Sequence, residues 1–249
     1  MSPTDFSFEP VYLGLAALAA AAYIAAWLRG SKVEGWRAAC FGTGLFLVAA
    51  SLNSPLETIA AHRLLLIHLL QNALIADIAP PLLLLGLTPA MVAALERHGG
   101  SRIRARYALP AWLAAWYGTH LAGFYDWALR TNWALNVEHA LLIAGGLVFW
   151  WPIVSRRLST PAALAYLGGG FVTSSFLGLA LIFSSRPFYS FYEHAPRLWG
   201  LSPARDQNLG GILMNAEQTI VFLAAIGYFV WRLLEEEHLT GADGSPAAR

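Results

Sequence analysis

The chain has 249 residues, 57% of them apolar and only 12% charged, with a mean hydropathy of +0.52. A soluble domain carries roughly 45–50% apolar and about 25% charged residues, so this composition excludes an ordinary soluble protein and indicates an all-α integral membrane protein. A net charge of +1 gives no reason to expect a nucleic-acid partner, and the single cysteine, Cys40, excludes an intramolecular disulfide framework and a cysteine-pair metal site.

Taken in order, the chain opens on MSPTDFSFEP, which lacks the positive region of a cleavable signal peptide, so the first apolar run is expected to persist. A membrane helix needs about 20 mostly apolar residues. On that rule about seven spans are predicted, at 11–28, 38–53, 60–79, 108–125, 134–152, 162–184 and 209–233. Cys40 falls in the second and is expected to pack as a small buried hydrophobe. The third is expected to stop at Pro80–Pro81, which cannot donate backbone hydrogen bonds. Pro110 suits the first turn of the fourth, and Gly168–Gly170 in the sixth allows close helix approach or a kink. Short connections make residues 1–238 one polytopic domain, and 239–249 (LTGADGSPAAR) reads as a disordered tail.

Orientation follows from Lys and Arg. Loops 29–37, 95–107 and 154–161 hold Arg29, Lys32, Arg37, Arg97, Arg102, Arg104, Arg106, Arg156 and Arg157. The alternating segments are poorer in positive charge, although 185–208 holds Arg186, Arg197 and Arg205. The N-terminus is therefore expected outside and the C-terminus inside.

Ionisable and strongly polar side chains are costly in a bilayer and mark function by default. His68, Gln71 and Asn72 share one face of the third run, at i, i+3, i+4. His120 lies near the outer end of the fourth run, Glu138 and His139 just inside the outer start of the fifth, and Asp206 and Gln207 open the seventh, with Met214 about 12 Å deeper than Asp206. All fall in one outer layer. Imidazole and thioether donors suit copper, and imidazole also suits zinc, iron or haem. Other residues read more plainly. His194 is expected to be solvated and His98 and His238 to lie on the inner surface. Arg63 is expected to snorkel, and Asp77 to pair with an inner-loop arginine.

The chain resembles the polytopic CtaG-type cytochrome c oxidase assembly proteins. That family carries a third-helix HMxQH motif followed by PPLLxLGxP; this chain reads HLLQN at 68–72 and PPLLLLGLTP at 80–89. It is also similar in WYGTHLAGFYDWAL (116–129), EHALLIAGGLVFWWP (138–152) and DQNLGGILM (206–214). Three positions depart: the second histidine of the motif is Asn72, its methionine is Leu69, and Met214 is followed by Asn215 where the family usually has tryptophan. The resemblance implies an assembly factor for a haem–copper oxidase in the bacterial cytoplasmic membrane, presenting copper at its outer face. On this reading His68, His120, His139 and Met214 are the metal ligands, and Glu138, Asp206, Gln207, Asn72, Gln71 and His62 support them. Expected partners are the lipid bilayer, the oxidase catalytic subunit and a periplasmic or extracellular copper donor. No enzymatic activity is expected. Copper transport or tolerance, haem carriage, and a metal-free role in subunit assembly are the alternatives.

Overall fold

The computed structural model describes residues 2–243, with side chains described through His238. Among them the chain is helical throughout, without strands. The helices are α1 (Pro10–Leu28), α2 (Gly35–Leu52), α3 (Pro55–His62), α4 (Leu65–Ala73), α5 (Ala79–Leu85), α6 (Pro89–Arg97), α7 (Ala105–Thr119), α8 (Ala122–Leu129), α9 (Asn132–Val154), α10 (Thr160–Phe183), α11 (Ser190–His194) and α12 (Pro203–Asp243). Six segments among the described residues are long and apolar enough to cross a membrane: α1, α2, the continuous stretch Leu65–Leu85, α9, α10 and the Pro203–His238 part of α12.

The fourth expected span is different. α7 has 15 residues, about 22 Å at 1.5 Å each, against a hydrocarbon core of about 30 Å. The chain turns at His120, and the residues from Ala122 onward form the separate helix α8 rather than the end of the same span. α7 begins at Ala105, so Pro110 lies inside it rather than in its first turn.

The third span also departs from expectation. It starts at Leu65, because the chain breaks at Arg63–Leu64 after the short helix α3. It does not stop at Pro80–Pro81. A wide π turn over Leu74–Ile78 shifts the bonding register, and the two prolines then occupy the first turn of α5, where proline is best tolerated.

Packing is set by close backbone approach. A Cβ placed on Gly146 of α9 would land on the Ala76 carbonyl in the π turn, so only glycine lets these helices touch. The predicted glycine triplet behaves differently. Gly168 and Gly169 face open space and Gly170 packs on Phe149 and Phe222, while the tight α10–α12 crossing is made by Gly178 against Gly211 and Asn215. Cys40 is only half-buried. Of the tail expected at 239–249, α12 carries helix through Asp243, and 244–249 lie outside the described residues.

Candidate functional site: a buried histidine and carboxylate chamber

The chamber is built where α4, α7, α9 and α12 meet under the short helix α11. Its first wall is α4. No side chain of its own N-cap residue, Leu64, bonds its free N–H groups. Asp206 of α12 supplies the cap instead: its carboxylate accepts from Leu65 N–H at 3.0 Å and Leu66 N–H at 2.9 Å. Arg197 completes the arrangement with an ion pair to the same carboxylate at 3.0 Å. A carboxylate at a helix N-terminus satisfies orphan donors and complements the helix dipole, so Asp206 fixes where α4 begins.

With α4 held there, His68, Gln71 and Asn72 all point inward and are buried. His68 Nδ1 lies 2.8 Å from the Tyr192 hydroxyl, and Tyr192 donates its one proton to the Ala60 carbonyl at 2.5 Å. The hydroxyl can therefore only accept from His68, so Nδ1 carries a hydrogen. In the neutral ring Nε2 then presents its lone pair, 3.5 Å from Glu138 Oε1. His120 is arranged in the same way. Its Nδ1 donates to the Trp116 carbonyl at 2.7 Å, leaving Nε2 buried and unpartnered. Anchoring one ring nitrogen to an oxygen while freeing the other is how proteins prepare histidine for a ligand role. His139 is freer still: neither nitrogen has a hydrogen-bond partner among the described residues, and its ring centroid lies 6.0 Å from that of His68.

Glu138 sits at the centre, fully buried, with Asn72 Nδ2 donating to Oε1 at 3.2 Å while Oε2 has no partner. Although adjacent on α9, Glu138 and His139 both lie beside His68 of α4. Asn72 thus uses its amide to hold the carboxylate rather than to offer a ring nitrogen. Met214 is buried in the apolar packing that closes the chamber, with Leu69, Tyr125 and Tyr192.

The other expected residues lie apart. Gln207 accepts from Phe188 N–H at 2.7 Å and donates to the Arg186 carbonyl, clamping the loop before α11. Gln71 turns to the Ser51 carbonyl at 2.8 Å and to Glu57. His62 is exposed, bonds the Thr58 carbonyl at 3.2 Å, and lines a surface pocket with His194. Asp77 does not meet an arginine; it faces Glu217 and Gln218 of α12.

Three participants were not singled out in the sequence. Tyr189 and Tyr192 reach down from α11, Tyr189 bonding the His120 carbonyl at 3.0 Å. Tyr125 of α8 stacks on Tyr189 with ring centroids 4.3 Å apart and lies 5.0 Å from the His68 ring. α11 is itself fixed by Asp126 of α8, which accepts from Ser190 N–H at 3.0 Å and Phe191 N–H at 2.9 Å. Burial holds the Tyr192 phenol well above its ordinary pKa, so it stays a neutral hydrogen-bonding group. The aromatic cluster FYSFY at 188–192 was the available signal.

Among the described residues no three of His, Cys, Asp and Glu stand close enough to hold one metal ion. The chamber gathers three buried imidazoles, two of them anchored through Nδ1, without a closed coordination cage.

These features define a polytopic membrane protein with a polar chamber sealed inside one end of its helix bundle. The chain belongs to the cytochrome c oxidase caa3 assembly factor family, whose model matches residues 20–236. No curated protein and no solved structure gives a match.

Proposed function

We propose that the protein supports assembly of a haem–copper oxidase by taking copper into the chamber and presenting it to the catalytic subunit, at the outer face of the bacterial cytoplasmic membrane. The observation that carries this reading is the convergence of buried ring nitrogens on Glu138: those of His139 and Nε2 of His120 without hydrogen-bond partners, and Nε2 of His68 facing the carboxylate at 3.5 Å. Leaving such groups buried without partners costs about 1–3 kcal/mol each, a penalty that a bound ion removes. Imidazole with a nearby thioether, Met214, favours copper over hard cations. An incomplete cage fits a carrier, because an ion that must be handed on cannot be held by a saturated ligand set. Glu138 would take up a proton as the ion leaves. The protein acts as a chaperone in this scheme rather than as an enzyme, and its copper comes from a donor on the same side of the membrane.

Two observations favour a second reading, in which the chain holds an oxidase subunit without metal. No three-residue metal group is present among the described residues, and Asn72 spends its amide on Glu138. Elemental analysis with a Cu(I) competition titration separates the two. Copper bound by the wild type and lost in His68→Ala and His139→Ala supports the first. Binding that appears only in Asn72→His supports the second.

A further inference from the structure

At the end of the bundle opposite the chamber lies a cavity of about 990 Å³ that plays no part in the copper reading. Its walls are apolar, with Leu82, Val154, Val221 and Phe229 among them. It extends from Asp77 in the π turn to Leu85 at the end of α5, and from Ile220 to Arg232 along α12, which is about 12–18 Å at 1.5 Å per residue. Its far end is closed by Asp77, which turns to Glu217 and Gln218. Arg37, Arg156 and Arg232 line its mouth together with Glu96. Glu96 is already paired to Arg157 at 2.8 Å. Arg37 donates to the Leu85 and Leu87 carbonyls and to Glu34, and Arg232 pairs with Glu236.

Arg156 is the telling residue. It follows the C-cap of α9 with φ at 54°, in the left-handed region. Its N–H bonds the Ile153 carbonyl and that of Arg157 bonds the Pro152 carbonyl, both at 3.2 Å. This is the helix-ending motif in which glycine ordinarily takes that position. An arginine there bears backbone strain that glycine would not, and in return it sets a guanidinium at the cavity mouth. Strain kept at a single position next to a large cavity points to a ligand.

We propose that this cavity binds an anionic phospholipid, its acyl chain along the apolar walls and its headgroup against Arg156 and the neighbouring arginines. Charge complementarity selects this occupant. Lysines and arginines of the chain divide as ten at this end and five at the chamber end, with Arg249 beyond the described residues, so this is the cytoplasmic side by the positive-inside rule. Cytoplasmic leaflets are rich in anionic lipid, and basic pockets between transmembrane helices on that side are suited to its headgroups.

The test is native mass spectrometry of purified protein exposed to equal amounts of phosphatidylglycerol and phosphatidylcholine. Wild type should retain the anionic lipid preferentially. The preference should fall about five-fold for each arginine removed, in Arg156→Gly and again on adding Arg232→Gln. Arg156→Gly should meanwhile melt in lipid-free detergent at or above the wild-type temperature, because glycine relieves the strain; this separates lipid loss from misfolding. Equal retention of both lipids by wild type, or full preference kept in Arg156→Gly, overturns the proposal. So does a phosphate-free amphipath or a partner helix recovered in the cavity.

Discussion

The hydroxyl of Tyr192 stands 2.8 Å from His68 Nδ1 and gives its own proton to the Ala60 carbonyl. One phenol thereby joins the short covering helix α11, the helix α3 and the central histidine, and it decides which nitrogen of His68 faces the chamber. Tyr192→Phe leaves that Nδ1–H and the Ala60 carbonyl without a partner in a buried site. The expected cost is about 1–3 kcal/mol in thermal unfolding. On the copper reading, Cu(I) affinity should fall about 10- to 100-fold, as for other residues that orient a ligating histidine. A variant with unchanged melting and unchanged Cu(I) affinity would remove Tyr192 from this role.

Asp206 carries more than one partner. Its carboxylate is fully buried, accepts two backbone N–H groups of α4 and pairs with Arg197. Asp206→Ala strands all three donors and leaves the Arg197 charge without its partner. Loss of about 3–5 kcal/mol is expected, the range for breaking a buried ion pair from one side. The protein should accumulate poorly in membranes and melt well below wild type, and Asp206→Asn, which retains one acceptor oxygen, should fall between.

Glu57 of α3 makes stability depend on pH. Burial, only partly offset by the amide of Gln71, lifts its carboxyl from 4.5 to about 7. Between those values the folded protein keeps a proton that the unfolded chain has lost. Stability therefore falls as pH rises through this window and levels off above it, by about 3 kcal/mol in total. Melts of wild type at pH 5 and pH 8 should differ in that direction. Glu57→Gln should flatten the profile and raise the melting temperature at pH 8; a variant that keeps the wild-type slope would assign the titration to another group.

Gly146→Ala tests the backbone contact between α9 and the π turn. The added methyl meets the Ala76 carbonyl, and backbone on both sides cannot move far, so a loss of about 1–3 kcal/mol or more is expected. Gly168→Ala, which meets only open space, should be neutral or slightly stabilising by helix propensity. The pair of melts should separate clearly.

Composition and apolar run length were enough to establish the membrane class and the sites of most helices, because a bilayer admits few alternatives to a long apolar helix. The central site residues His68, Asn72, Glu138 and His139 were also legible, since polar groups so costly in lipid stand out against the runs that hold them. The family motifs pointed the same way. Tertiary structure alone decided the rest. That α4 begins at Leu65 depends on a carboxylate 141 residues away, which no local pattern announces. That the third span continues past Pro80–Pro81 depends on a π turn that Gly146 has room to touch, and that His120 ends a short helix depends on α8 turning aside to fix α11. Asp77 found Glu217 rather than an arginine because α12 crosses the bundle interior at that depth. Local periodicity sets which segments are helical; the partners of buried polar atoms are set by which helices pack together, and those partners make the chamber.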